Sequence, residues 1–273
     1  GFSNNPFPIP HDIKTHPNFY YLGIGKLTGT FPNKLIGENL YVGDTWVGPS
    51  DDKPYSLLAI EDTLYLTACK INDDAFCYLG YSTDGGNKFT MNKKNKIPNF
   101  EFINMGQNYG LNTDGYVYVS TLGIGNNIRG ALYLGRVPAK QILDVSAYEY
   151  YSNENPNSPT WSKDSSDARP ILTSGGVYNV MNGITYHSGT DRFILMTEVN
   201  VYDAPNPWGP WTCAGTWMTP ETSQKWQGGY YPYVIPIETT NNSFYFTLAG
   251  QGDTQGDYQK YRFNLGKIIM EIN

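Results

Sequence analysis

The chain has 273 residues, including 29 Gly, 18 Pro and 23 Tyr, and only 16% of its residues are charged; this is a turn-rich composition with an aromatic interior, long enough for one sizeable core. Lys and Arg number 19 against 25 Asp and Glu, and the formal charge of -6 would repel phosphate backbones, which argues against nucleic acid as a partner. No apolar run approaches the roughly 20 residues of a membrane helix and no signal peptide is visible, while a start at Gly1 implies a removed leader or an incomplete chain.

Residues Gly1 to Asn18 are too rich in Pro and Asn for strands and read as a loop. Phe19 to Gly29 (FYYLGIGKLTG) and Gly37 to Trp46 (GENLYVGDTW) then line up with the third and fourth strands of a repeat seen further along. Three later segments read as strand, polar loop, strand, turn, strand: Thr63 to Thr90, Gly115 to Tyr151 and Asn242 to Ile272. A fourth, Asp191 to Trp217, places two alternating strands around YDAPNPWGPWT, where Pro205, Pro207, Pro210 and Gly209 make a stiff corner that Trp208 and Trp211 could close by packing on the prolines. A first strand precedes each unit: KPYSLLAI at Lys53, QNYGLN at Gln107, YNVMNGITY at Tyr178 and YYPYVIPI at Tyr230.

Units recurring every 50 to 60 residues or so, with almost no helical periodicity, imply an all-β propeller in a single domain. The register gives four full blades over residues 48–273 and a partial first blade over 1–47. If nothing completed that blade, the apolar faces of Phe19 to Leu27 and Leu40 to Trp46 would stay wet, at about 25 cal/mol per Å2, so an upstream segment or a second chain is expected to complete it. Cys69 and Cys77 flank a short hairpin loop and could form a disulfide or remain two buried thiols; Cys213 is left over.

The runs KPYSLLAIEDTLYL, NMGQNYGLNTDGYVYV, LGRVPAKQILDVSAYEYY and VYDAPNPWGPWT resemble a family of secreted five-bladed propellers known as the DUF4185 type, some of whose members are endo-D-arabinanases. STDGGNKF (Ser82 to Phe89) resembles the Asp-box turn of sialidases, a structural hairpin. The resemblance implies a five-bladed propeller, a secreted, extracellular location and glycan cleavage. Family members usually carry upstream a Trp-Ala-Asp-Asp type strand pair that this sequence lacks, which leaves a non-catalytic carbohydrate-binding or structural propeller as the alternative.

Glycoside hydrolysis needs one carboxylic acid as proton donor and a second carboxylate as base or nucleophile. The long crossovers expected on one face of the disc are Gly43 to Lys53, Asn92 to Gly106, Trp161 to Gly176 and Thr219 to Gly229. Asp51 and Asp52, entering an inner strand beside Lys53, and Glu198, ending FILMTE, are the candidate catalytic acids. Lys53, Asn108, Tyr109, Arg169, Asn179, Glu221 and Trp226 are the candidate substrate-binding residues, with Trp226 as a stacking platform. Arg169 could equally pair with Asp164 or Asp167, and a solvated or capping DD pair is the plainer reading of Asp51 and Asp52. His11, His16 and His187 make no metal-ligand spacing, so neither a metal nor another cofactor is expected.

Overall fold

The computed structural model describes residues 24–31, 34–40, 52–70, 73–122, 124, 130–173, 183–219, 230–236, 242–250 and 262–270. Those residues form an all-β propeller whose blades are consecutive antiparallel sheets. The first blade comprises β3 (Asp52–Ile60), β4 (Thr63–Lys70), β5 (Asp73–Ser82) and β6 (Thr90–Ile97). The second begins with β7 (Phe100–Phe102), β8 (Tyr116–Thr121), β9 (Leu132–Pro138) and β10 (Glu149–Tyr151), and β11 (Trp161–Ser162) and β12 (Pro170–Leu172) widen it. The third holds β13 (Ile184–His187), β14 (Arg192–Met196), β15 (Asn200–Ala204) and β16 (Thr212–Thr216). The fourth holds β17 (Tyr230–Val234), β18 (Ser243–Gly250) and β19 (Arg262–Ile269). The hairpin β1 (Ile24–Thr30) and β2 (Lys34–Leu40) precedes them and pairs only with itself among the described residues, so these residues hold four blades rather than five.

Several elements differ from the sequence expectation. QNYGLN is not a strand: Gln107–Tyr109 is a 3-10 turn in which Asn108 and Tyr109 take positive φ values of 53° and 59°, incompatible with a ladder. The first strand of the β7 blade lies earlier, where Phe100, Phe102 and Ile103 are all buried. The supposed crossover from Asn92 is therefore mostly strand, β6 as far as Ile97 and then β7, and only Pro98 and Asn99 link the two. Likewise the Trp161 crossover contributes strands, with β10 and β12 sharing one edge of β9: Glu149 and Tyr150 oppose Arg136 and Gly135, while Pro170 and Leu172 oppose Tyr133 and Leu132. At the C-terminal end, RFNLGKII is one continuous strand rather than two, because it follows β18 residue for residue from Gly250 to Ser243.

The prolyl corner behaves differently as well. Trp208 leaves its own turn and donates its indole N–H to the Pro156 carbonyl at 3.0 Å, packing 6.1 Å from Trp161 and 6.2 Å from Tyr118. Gly209 has φ 104°, and a Cβ there would lie 3.2 Å from Trp211 Cδ1, so the turn needs glycine for both reasons. The corner thus ties the β13 blade to the β7 blade.

Two hydrophobic clusters fill the disc. The larger runs through the β3 and β7 blades into β13 and β14, with Tyr118, Tyr133, Phe100 and Phe102 fully buried; the smaller, around Met196, Phe244, Phe246 and Leu248, joins the last two blades. Each such side chain stabilises the fold by about 1.5–3 kcal/mol. His187 adds a polar tie: its Nε2 lies 3.0 Å from the Ser243 carbonyl, which can only accept, so Nε2 carries the proton while Nδ1 accepts from Thr190 at 2.9 Å. Cys69 and Cys77 stand directly opposite on β4 and β5, 4.1 Å apart at Cα, and are joined as a disulfide; Cys213 is free and exposed.

Candidate active site

First strands line a propeller's axis, and here β7 is stitched to both neighbours. Phe102 N–H donates to Ser56 Oγ at 2.9 Å and Thr67 Oγ1 donates to the Phe100 carbonyl at 3.0 Å, fixing β7 against the β3 blade. On the other side, Asn104 N–H donates to the Ile184 carbonyl at 3.1 Å and the Asn104 carbonyl accepts from Tyr186 N–H at 2.8 Å, a parallel bridge to β13. Thr185 Oγ1 in turn donates to the Val234 carbonyl on β17 at 3.2 Å. A strand held at both edges presents its side chains from a rigid backbone.

Within FEF, Phe100 and Phe102 go to the core, and alternation turns Glu101 to the other side. There it meets the Tyr55 hydroxyl of β3, which donates to it, with Tyr233 of β17 close by. Glu101 is 6% exposed. Burial pushes its carboxyl up to about 8 from the ordinary 4.5, and the Tyr55 hydrogen bond offsets only part of that. Near neutral pH the group therefore keeps its proton. Burial, reinforced by the Glu101 charge, also raises the Tyr55 and Tyr233 hydroxyls, so both stay neutral donors.

Local backbone features place these rings. Tyr231 has φ 57° inside a register shift between Tyr230 and Tyr233, a bulge that re-aims side chains at the start of β17 and brings Tyr231 near Tyr55. A Cβ on Gly183 would fall 2.2 Å from Tyr233 Cδ2, so only glycine leaves room for that ring over the entry to β13. Asn99, 6% exposed, hydrogen bonds to the Tyr55 hydroxyl, and its Oδ1 lies 3.5 Å from Cys77 Sγ and 3.6 Å from Cys69 Sγ.

The residues expected to form the site separate by position. The backbone of Lys53 opposes Cys69, whose sulfur touches Asn99, so Asp52 and Lys53 enter β3 at the end of the axis where Glu101 stands. Glu198 is half-buried and follows β14, which runs antiparallel to β13 and hence returns to the end where β7 begins. Asn108 and Tyr109 come after β7 and lie at the opposite end: Asn108 is exposed, and the buried Tyr109 hydroxyl accepts the Tyr118 N–H at 3.0 Å. Arg169 sits beyond the third strand of its blade, 3.9 Å from Glu154 Oε1 rather than on Asp164 or Asp167, which accept from Ser166 N–H and Ser162 Oγ. Asp51, Asn179, Glu221 and Trp226 lie outside the described residues, as do His11 and His16. The sequence reading missed Tyr55, Asn99, Glu101 and Tyr233; the available signal was an acid between two phenylalanines in strand alternation.

Among the described residues no group of three or more His, Cys, Asp or Glu could hold a metal ion, and no helix is long and apolar enough to cross a membrane. A groove of about 690 Å3 lies off the axis between the β13 blade and β19, lined by Trp217, Ile268 and an Arg192–Asp203 ion pair that neutralises itself.

Three solved structures share the fold at low identity. A Bacteroides ovatus ATCC 8483 protein described as a candidate hydrolase gives a TM-score of 0.54 at 14% identity, over 78% of this chain and 59% of its own. The Xanthomonas citri GH43_1 enzyme gives 0.51 at 12% over 94% and 80%, and the Bacteroides ovatus xyloglucan PUL GH43B gives 0.50 at 12% over 90% and 50%. The chain thus spans 59% of the length of the first of these proteins. No curated protein matches the chain. Residues 53–263, from the first strand of the β3 blade into β19, match the model of the domain of unknown function DUF4185, and the chain belongs to that family.

Proposed function

We propose that this propeller is a glycan-cleaving hydrolase in which Glu101 is the proton donor. The observation that carries the reading is a buried carboxyl at about 8 on a rigid inner strand, held by a tyrosine hydroxyl. Such a group keeps its proton until a leaving oxygen approaches and then gives it up near neutral pH, the condition for general acid catalysis. Asp52 and Glu198, whose backbones lie towards the same end of the axis, would supply the second carboxylate as base or nucleophile. Tyr55, Tyr231 and Tyr233 would offer ring faces and hydroxyls to a sugar. The fold shared with the GH43_1 and GH43B proteins supports glycan cleavage, and the DUF4185 resemblance supports a furanosidic, arabinan-like substrate.

In this reading the hairpin β1–β2 belongs to a fifth blade beside the β17 blade, where Phe31 packs edge-on to Tyr245 at 4.7 Å. An upstream segment or a second chain would complete it, and the disulfide fits an oxidising, extracellular location. The small exposure of Glu101 favours one other reading, a propeller that binds glycan through the tyrosine-lined end without cleaving it.

The test is a glycan panel that includes furanosidic and acidic polysaccharides, assayed for both binding and cleavage. Cleavage that disappears in Glu101→Gln, with the fold intact, supports the hydrolase. Binding without cleavage selects the second reading, and full activity in Glu101→Gln rejects Glu101 as donor.

A further inference from the structure

We infer that Asn99, wedged against the Cys69–Cys77 disulfide, is a positioning residue that holds the Tyr55 hydroxyl onto Glu101. The four groups form a continuous buried chain across one blade junction. Cys69 and Cys77 are 4% and 0% exposed, and both sulfurs touch one end of the Asn99 carboxamide. The other groups continue the chain: Asn99 bonds to Tyr55, and Tyr55 bonds to Glu101.

A disulfide sulfur has no proton to give, so its contact with Asn99 is a wall rather than a bond. The wall fixes the rotation of the amide and leaves its hydrogen-bonding capacity for Tyr55. The backbone behind Asn99 is equally confined. It lies in the two-residue link between β6 and β7, and the next carbonyl, that of Phe100, is gripped by Thr67 Oγ1, two residues before the disulfide-bonded Cys69 on β4. An asparagine that merely satisfied a turn would bond to its own backbone; this one reaches instead to a side chain on β3. The inference rests on Glu101 being the working acid only for its catalytic meaning, since the arrangement itself can be measured without a substrate.

Among the described residues, the titratable groups facing Glu101 are Tyr55 from β3 and Tyr233 from β17, with Tyr231 facing Tyr55. The experiment is a pH titration of the Glu101 carboxyl by 13C NMR on the whole chain, the resonance being identified by its loss in Glu101→Gln. Tyr55→Phe removes the hydrogen bond that favours the ionised form and should raise the midpoint by about one pH unit. Asn99→Leu fills the same space without an amide and should raise it in the same direction. A Cys69→Ala, Cys77→Ala pair, which removes the wall, should do likewise, whereas a Cys69→Val, Cys77→Val pair keeps the bulk and should leave the midpoint in place.

A merely structural Asn99 gives the opposite sign. Loosened packing would admit water, relieve the desolvation of Glu101 and lower the midpoint. An unchanged or lowered midpoint in Asn99→Leu, while Tyr55→Phe raises it, overturns the inference. Should the alanine pair fail to fold, the Asn99→Leu result decides alone. A chain that cleaves no glycan yet shows these shifts keeps the positioning role and rejects the proposed function.

Discussion

Two polar clusters in this propeller treat charge in opposite ways. On the outer side of the β7 blade, the Arg136 guanidinium lies 4.1 Å from the ring centres of both Tyr116 and Trp161, with its Nε and Nη2 3.1 and 3.0 Å from Glu149 Oε2. Both ions keep some contact with water, at 19% and 27% side-chain exposure. On the axis, Glu101 has two tyrosines and an asparagine around it, and burial dominates its proton affinity. The outer cluster spends its charges on each other and on aromatic faces, which serves packing. The inner one faces no cation among the described residues and keeps its proton, and a carboxyl buried that way costs stability which a structural role does not require.

Under the proposed hydrolase reading the contrast is sharpest in catalysis. Glu101→Gln should lower turnover by about 10²- to 10⁴-fold without unfolding the protein, as measured by a rate assay alongside circular dichroism. Substitution of Arg136 by methionine should leave turnover within about twofold, since the outer cluster has no part in the chemistry; equal losses in both variants would erase the distinction.

Stability against pH is the next largest effect. Glu101 is raised from 4.5 to about 8 in the folded protein, so the folded state holds the extra proton between those values. Its stabilising share is present in full below pH 4.5 and is lost as pH rises towards 8, at up to about 1.4 kcal/mol per pH unit. Denaturant midpoints should fall across that window in the wild type and fall less in Glu101→Gln. An equal fall in both would place the titration elsewhere.

The outer cluster should answer to packing instead. Trp208→Ala removes a ring shared with Tyr118 and Trp161 together with its bond to Pro156, and should cost about 3 kcal/mol, seen as a lowered Tm with turnover per folded molecule unchanged. Smallest is Tyr109→Phe, which strands the buried Tyr118 N–H and should cost about 1–2 kcal/mol while leaving activity alone. A loss of substrate affinity in that variant would bring Tyr109 back into the site despite its place at the far end of the axis.

The sequence disclosed the architecture through its period and alternation, as in TLYLTACK and FILM, because a two-sided strand must repeat every second residue. The short loop between Cys69 and Cys77 left a disulfide and two buried thiols equally open, and only the 4.1 Å Cα separation across β4 and β5 decides for the bond. The sequence misplaced the start of the β7 blade because Lys93, Lys94 and Lys96 make a real strand look like a polar loop, and because NYG looks extended while Asn108 and Tyr109 adopt positive φ. That error carried the acid search past Glu101. The pairing of Tyr55 with Glu101 joins residues 46 positions apart across a blade junction, and no local pattern encodes which first strands meet.

The outermost strand β16 has all five of its residues exposed, and one of them is Cys213, while Cys69 and Cys77 are locked together. The chain has three cysteines in all, so under non-reducing conditions it offers a single reactive thiol at its rim. A maleimide dye or a biotin tether attached there would be stoichiometric and remote from the axis. Surface-immobilised protein would then present the tyrosine-lined end to dissolved polysaccharide in one defined orientation.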